Sequence, residues 1–441
     1  MRWPHPTRIL PRKIRVPVLA AAAAAVGGLL LAGGSAGPRL PPRLLKDVVE
    51  QLREGRQTFR HDTFGDEEFW GGELRLHEAI AGLANGGVGD GLTPAKALEL
   101  GLKLDRTALS DGLIHALKSG NLDTSDPANT VALLRADAVV GVTGFFDGDE
   151  LTAVGINCSL CHSTVDDSVM PGVGVRLDGW ANRDLDVGKI IALAPDLSPF
   201  TTLLGLTDQE VRDAVSSWGP GKFDAQLVLD GQNMPTLIPP AFGLAGVNLH
   251  TWTGWGSVPY WNAFVAIIEM HGKGNFFDPR LDDAAQFPIA AANGFGHITV
   301  EPDEDRVTPK LASLHLYQLS LQAPDPPAGS FDPDAAERGD ELFEGKAQCA
   351  SCHVEPTFTD SGWNVHPGSD FGIDNDQADR SPTHAYRTSP LKGLWTHTKG
   401  GFFHDGRFAT LDDVVDHYDG FFNLGLTPNE KSDLVQYLLS L

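Results

Sequence analysis

Sulfur is scarce in this chain. Its 441 residues include four cysteines and four methionines, one of them Met1. So few methionines leave methionine ligation of a metal with few options. Basic side chains are also short: 34 lysines and arginines face 58 acidic residues, for a net charge of −24. That balance argues against nucleic-acid binding, which needs cations to neutralise phosphates. Beyond residue 36 no apolar run is long enough to span a bilayer, so a soluble body is expected there. No twin-arginine pair stands near the N-terminus. Glycine and proline, by contrast, number 49 and 30, which implies much loop.

The few cysteines are all placed alike. They form two copies of one pattern, Cys158-Ser159-Leu160-Cys161-His162 and Cys349-Ala350-Ser351-Cys352-His353. C-x-x-C-H is the attachment signature of c-type haem. Two thiols add across the haem vinyl groups, and the adjacent histidine then reaches the iron from the proximal side. Two complete matches exhaust the cysteines, so thioether formation accounts for every thiol. A structural zinc site would draw four ligands from nearby pairs, and these pairs lie far apart. A thioredoxin-like dithiol would sit near a βαβ pattern, and none is evident. Two covalent haems c, held by Cys158, Cys161, Cys349 and Cys352 with His162 and His353 as proximal iron ligands, are therefore expected.

The start of the chain agrees with haem attachment outside the cytoplasm. Arg2, Arg8, Arg12, Lys13 and Arg15 precede an apolar run from Val16 to Ala32, and small residues follow at 33–36. That is a secretory signal pattern over residues 1–36, and a periplasmic location follows from it. The rival is an uncleaved N-terminal anchor, so membrane contact is expected only if the segment stays on. Removing residues 1–36 takes the net charge from −24 to −29. Such an acidic field suits the steering of a basic or dipolar redox protein, and it serves solubility equally well.

The fold class expected is mainly α. Two tandem cytochrome c-like haem domains, 141–322 and 332–441, are joined by a Pro-rich linker at 323–331 and preceded by a helical extension at 37–140. An internal echo supports the tandem. Leu204-Gly205-Leu206-Thr207 through Asp213 matches Leu424-Gly425-Leu426-Thr427 through Asp433. Both carry T-x-x-E, a capping box that starts a helix, and Pro428 suits the first helical position. A looser echo pairs residues 240–244 with 390–394, each followed by an aromatic, Gly-rich loop and a helix.

The C-terminal half resembles the bacterial dihaem cytochrome c peroxidase superfamily. That superfamily includes the dihaem enzyme that builds tryptophan tryptophylquinone and has a distant relative in the dihaem rubber oxygenase. The resemblance rests on Ala336-Glu337-Arg338-Gly339 before the second haem motif, on Arg387-Thr388-Ser389-Pro390-Leu391-Lys392-Gly393-Leu394, and on the stretch from Phe403-His404-Asp405-Gly406-Arg407 to Val415. The first half matches at its haem motif and only loosely beyond.

Haem reactivity turns on the sixth coordination position: a closed site relays electrons, an open one binds peroxide or O₂. For the second haem, Thr410-x-x-Asp413 caps a helix, and Leu411, Val414, Val415 and Tyr418 fall on one apolar face. Tyr418 is then expected to face the haem, with His417 turned about 100° away. The resemblance implies the same place for the distal ligand, a methionine in the peroxidases and a tyrosine in the quinone-forming enzyme. A core tyrosine bonded near the haem edge is the plainer alternative. For the first haem, the helix after Trp261 ends at Glu269-Met270-His271. Periodicity leaves Met270 and His271 both open as iron ligands, with Met234 and His250 weaker. Glu269 is a candidate acid/base for moving a proton between peroxide oxygens, or a solvated helix-end carboxylate. Trp252, with Trp255 and Trp261, could relay electrons or simply fill space. His404-Asp405 is either a polar pair near the second haem or a turn. Arg176 and Arg183 are candidates for propionate binding or for ion pairs.

The leading expectation is a peroxidase-like oxidoreductase in which one haem receives electrons from a small redox protein and the other meets the oxidant, with hydrogen peroxide the candidate. The alternatives are a pure electron-transfer cytochrome with both haems six-coordinate and, more remotely, a dihaem oxygenase or protein-maturation enzyme.

Overall fold

The computed structural model describes residues 42–362 and 364–441. The signal-type segment 1–36 lies outside the described residues. Among those described, no helix is long and apolar enough to cross a membrane.

The chain is helix-rich, with short two-stranded sheets between the helices. Helix α1 (Pro42–His61) leads into the 62–73 segment. The longest strands, β1 (Val142–Asp147) and β2 (Glu150–Ile156), form an antiparallel hairpin with a register shift at Phe145/Phe146. This hairpin runs directly into the first cysteine motif. Its end is pinned by Asn157, whose amide donates to Gly141 O at 3.0 Å and whose Oδ1 accepts from the Ser159 hydroxyl at 2.6 Å. Gly141 has φ +85°, and a Cβ there would lie 2.1 Å from Leu160 Cα. The close approach of hairpin and motif requires glycine at this point.

The capping boxes read from the sequence are present. Thr207 starts α2 (Asp208–Ser216), and the Thr207 hydroxyl and Glu210 carboxylate exchange bonds with each other's backbone N–H. Downstream come α3 (Val258–Phe264) and α4 (Leu311–Ser320). After the linker, α5 (Pro333–Glu344) precedes the second cysteine motif. Thr410 and Asp413 box the start of α6 (Leu411–Phe422), and Thr427 and Glu430 that of α7 (Pro428–Ser440).

The apolar interior falls into two clusters. One draws on residues from Phe59 to Tyr317, the other on residues from Phe343 to Leu438. The gap between them coincides with the Pro-rich stretch at 323–331. Extension residues such as Phe59, Leu74, Leu133 and Leu134 are buried in the first cluster, so the extension shares the core of the first motif. In the second cluster, α5 crosses α7 where Gly339 meets Asp433: a Cβ on Gly339 would come within 2.1 Å of the Asp433 carbonyl oxygen. Across both clusters runs one buried polar clasp. Arg380 reaches Asp230 at 2.7 Å and Asp224 at 3.1 Å, and also donates to the carbonyls of Met234 and Gln232.

Candidate functional site: two haem-attachment motifs

The second motif opens on a cavity. Cys349–Ser351 form a single 3₁₀ turn after α5. The His353 ring is held through Nδ1, which lies 3.0 Å from Phe358 O. That contact fixes the ring and leaves Nε2 as the nitrogen for a metal. Burial pushes the His353 pKa down, opposed by the nearby backbone carbonyls. Cys349, Cys352 and His353 line a cavity of about 410 Å³, whose wall continues along α6 and α7 through Val414, Tyr418 and Leu438.

Tyr418 thus lines the same cavity as His353. His417 does not; its Nε2 lies 2.8 Å from Phe371 O. Burial holds the Tyr418 phenol above its usual range. Coordination as phenolate would need the charge of a ferric iron to reverse that shift. Part of the remaining wall is aliphatic, and part is polar and aromatic. It includes Tyr386 and His404, stacked with centroids 4.9 Å apart, and also Arg387, Arg183 and Trp252. The Trp252 indole donates to Leu237 O at 2.8 Å. Trp252 and Arg183 precede the linker, yet they face the cavity of the motif that follows it.

The first motif directly follows β2 in the chain. His162 repeats the arrangement of His353, with Nδ1 3.1 Å from Pro239 O, and burial lowers its pKa to about 4. Burial likewise pushes the Cys158 and Cys161 thiols up to about 12. The candidate distal residues sit where α3 changes winding. Val265–Glu269 form a π-helical turn. It ends at Met270, a buried side chain whose carbonyl accepts from the Trp70 indole at 3.1 Å. His271 follows with φ +65°, and its imidazole stacks on Phe69 at a centroid distance of 3.5 Å. Burial takes the His271 pKa to about 4. Glu269 is partly exposed as a residue, but its Oε1 is sealed from solvent without a hydrogen-bond partner. Burial, with Asp224 adding to it, holds this carboxyl well above its ordinary range. The extension therefore supplies Phe69 and Trp70 to the surroundings of Met270 and His271, something no local pattern signalled.

The weaker candidates have other duties. His250 is buried with Nε2 3.0 Å from Val247 O, and the Met234 amide donates to Asp224 at 2.6 Å. Arg176 is buried in an ion pair with Asp105 at 3.0 Å. Trp255 packs in an aromatic cluster with Trp261, Phe264 and Phe287. His404 lines the second cavity, while Asp405 pairs with Arg407.

The donor set fits covalent haem at both motifs. Each offers two thiols three residues apart and a histidine anchored through Nδ1. At the second motif an apolar-walled cavity adjoins all three.

No family model matches the chain. Among curated proteins it is similar to the methylamine utilization protein MauG of Methylorubrum extorquens. They are 31% identical over 199 residues, covering 42% of this chain and 55% of that protein. It is also similar to the cytochrome-c peroxidase IdrP1 of Denitromonas iodatirespirans, at 27% identity over 226 residues, covering 39% of this chain and 58% of the relative. The chain spans little more than half the length of these curated relatives. Two solved structures overlap it slightly: hydrazine synthase of Kuenenia stuttgartiensis (20% identity, 48% of this chain and 74% of that one, TM-score 0.28) and the diheme peroxidase BthA of Burkholderia thailandensis (18% identity, 51% and 78%, TM-score 0.31). The paired attachment motifs and the similarity to MauG and IdrP1 together support a likeness to the bacterial dihaem peroxidase-type superfamily.

Proposed function

We propose that the protein is a periplasmic dihaem oxidoreductase of peroxidase type, fed with electrons by a small redox protein. The observation that carries this reading is the second cavity, in which both thiols of a C-x-x-C-H motif, its histidine and the half-buried Tyr418 face one space of about 410 Å³. Haem bound at the two motifs would supply one-electron redox chemistry and, where the sixth position is open, a place for peroxide to bind. The residues divide the remaining tasks. His162 and His353 are the proximal ligands, each oriented by a backbone carbonyl. Tyr418 is the distal group of the second site. At the first site Met270 and His271 are the ligand candidates. Glu269, sealed and unpartnered at Oε1, is suited to hold a proton and pass it between peroxide oxygens, as an acid with a raised pKa can. Trp252, which donates from its indole to Leu237 O while lining the cavity, would relay electrons to the second site. The acidic surface favours a basic or dipolar redox partner.

The test is spectroscopic. Intact mass should show two haems per chain, and Cys158→Ala with Cys161→Ala, or Cys349→Ala with Cys352→Ala, should each leave one. The ferric protein should show a high-spin band that responds to cyanide and peroxide. Two low-spin centres indifferent to both would make the protein an electron carrier instead.

A further inference from the structure

Two arginines at the second cavity lack what buried arginines ordinarily have. Arg183 buries Nε, Nη1 and Nη2 without a hydrogen-bond partner for any of them. Arg387 buries Nε unpartnered, while its Nη1 donates to Leu249 O at 3.1 Å. Neither guanidinium has an acidic partner among the described residues. The neighbouring carboxylate of Asp184 is already taken by Lys103 at 2.7 Å and Lys399 at 2.6 Å. Burial lowers the pKa of both arginines to about 10, so both remain cationic at neutral pH. Two unneutralised guanidinium ions out of water are costly, and orphaned donors add to that cost. Both side chains line the cavity of the second motif. Gly400 leaves room for Arg183: a Cβ there would sit 3.3 Å from Nη1.

We propose that Arg183 and Arg387 together bind the two propionate carboxylates of the haem attached at Cys349 and Cys352. Planar guanidinium forks match carboxylates, and the second motif has two such forks where its cavity turns polar. Arg183 comes from the other side of the linker. It follows Asn182, whose amide donates to Cys161 O at 2.9 Å in the first motif. The same short stretch therefore touches the first attachment motif and clasps the haem of the second. This assignment rests on the dihaem reading above.

The experiment compares the full-length protein with its Arg183→Gln, Arg387→Gln and Arg183→Lys variants. Intact mass reports covalent haem, spectroelectrochemistry gives the two midpoint potentials, and resonance Raman reads the propionate bending bands. The Cys158→Ala/Cys161→Ala protein, carrying the second haem alone, identifies which potential belongs to it. Each glutamine variant should keep two haems, because the thioethers do not depend on arginine. Each should lower the potential of the second haem, since a lost cation destabilises the reduced state, and should move the propionate bands. Arg183→Lys should restore much of the potential and less of the band positions. If a glutamine variant fails to fold, the lysine variant still decides through its bands. Unchanged potentials and bands in a protein with two haems would overturn the assignment, as would a shift confined to the first haem. A wild-type mass without covalent haem would instead overturn the dihaem reading itself.

Discussion

Tyr418 shows how far one side chain can be placed from sequence. The stripe of Leu411, Val414 and Val415 predicts its direction, and in the structure it lines the cavity while His417 turns to Phe371 O. Tyr418→Phe is expected to change the ferric spectrum and midpoint potential of one haem only; an unaltered spectrum would remove Tyr418 from the iron's surroundings. Met270 and His271 were not separable in the same way. A helical wheel assumes 3.6 residues per turn, and the π-helical turn at Val265–Glu269 breaks that count just before both residues. Arg183 carried a hint of carboxylate binding, but its cavity belongs to a motif more than 160 positions away, which no local pattern encodes. His250 offers a separate test. Burial foremost, with Arg387 adding to it, brings its pKa from 6.5 to about 4. Between those values the unfolded chain binds the extra proton, so stability falls as pH drops from about 6.5 towards 4. The loss is at most about 3 kcal/mol for this residue. His250→Gln, which can still donate to Val247 O, should flatten that acid limb in a melting series; an unchanged limb would assign it to other groups.

At the scale of elements, what the sequence announced was how helices begin. T-x-x-E at Thr207 and Thr427 and T-x-x-D at Thr410 are local signals, and each proves to be a reciprocal capping box. Thr410→Ala should cost about 1 kcal/mol and fray the start of the helix that carries Tyr418. A fall in melting temperature together with a broadened spectrum of the second haem is the expected result. What the sequence did not announce was where helices touch. Gly339 stood in the motif that carried the family resemblance, yet nothing nearby reveals that the backbone of Asp433 lies against it. Gly339→Ala would drive a methyl group to within 2.1 Å of that carbonyl oxygen unless α5 and α7 separate. Such overpacking costs roughly 1–3 kcal/mol, and a urea titration should show it as a lower midpoint. A neutral result would mean that the two helices have slack.

For the whole molecule, the Pro-rich stretch at 323–331 reads as a boundary; the two apolar clusters lie on either side of it, within one compact unit that runs from Val49 to Leu441. The polar connections across it were invisible beforehand, since they join residues about 150 positions apart. Arg380 is the strongest of them, buried with both Asp224 and Asp230. Removing it strands two carboxylates away from water, so Arg380→Gln should cost about 3–5 kcal/mol. The melt should fall and split into two transitions; a single transition at the wild-type temperature would show the clasp to be dispensable. Trp252 and Arg183 reach across the same stretch to line the second cavity. A gene fragment beginning after the linker would still encode, over 332–441, a complete attachment motif, three capped helices and an apolar cluster of its own. Its product would nonetheless lack two walls of its own pocket, because those walls are written in the other half. The second attachment motif therefore has its full pocket only with the first half in place.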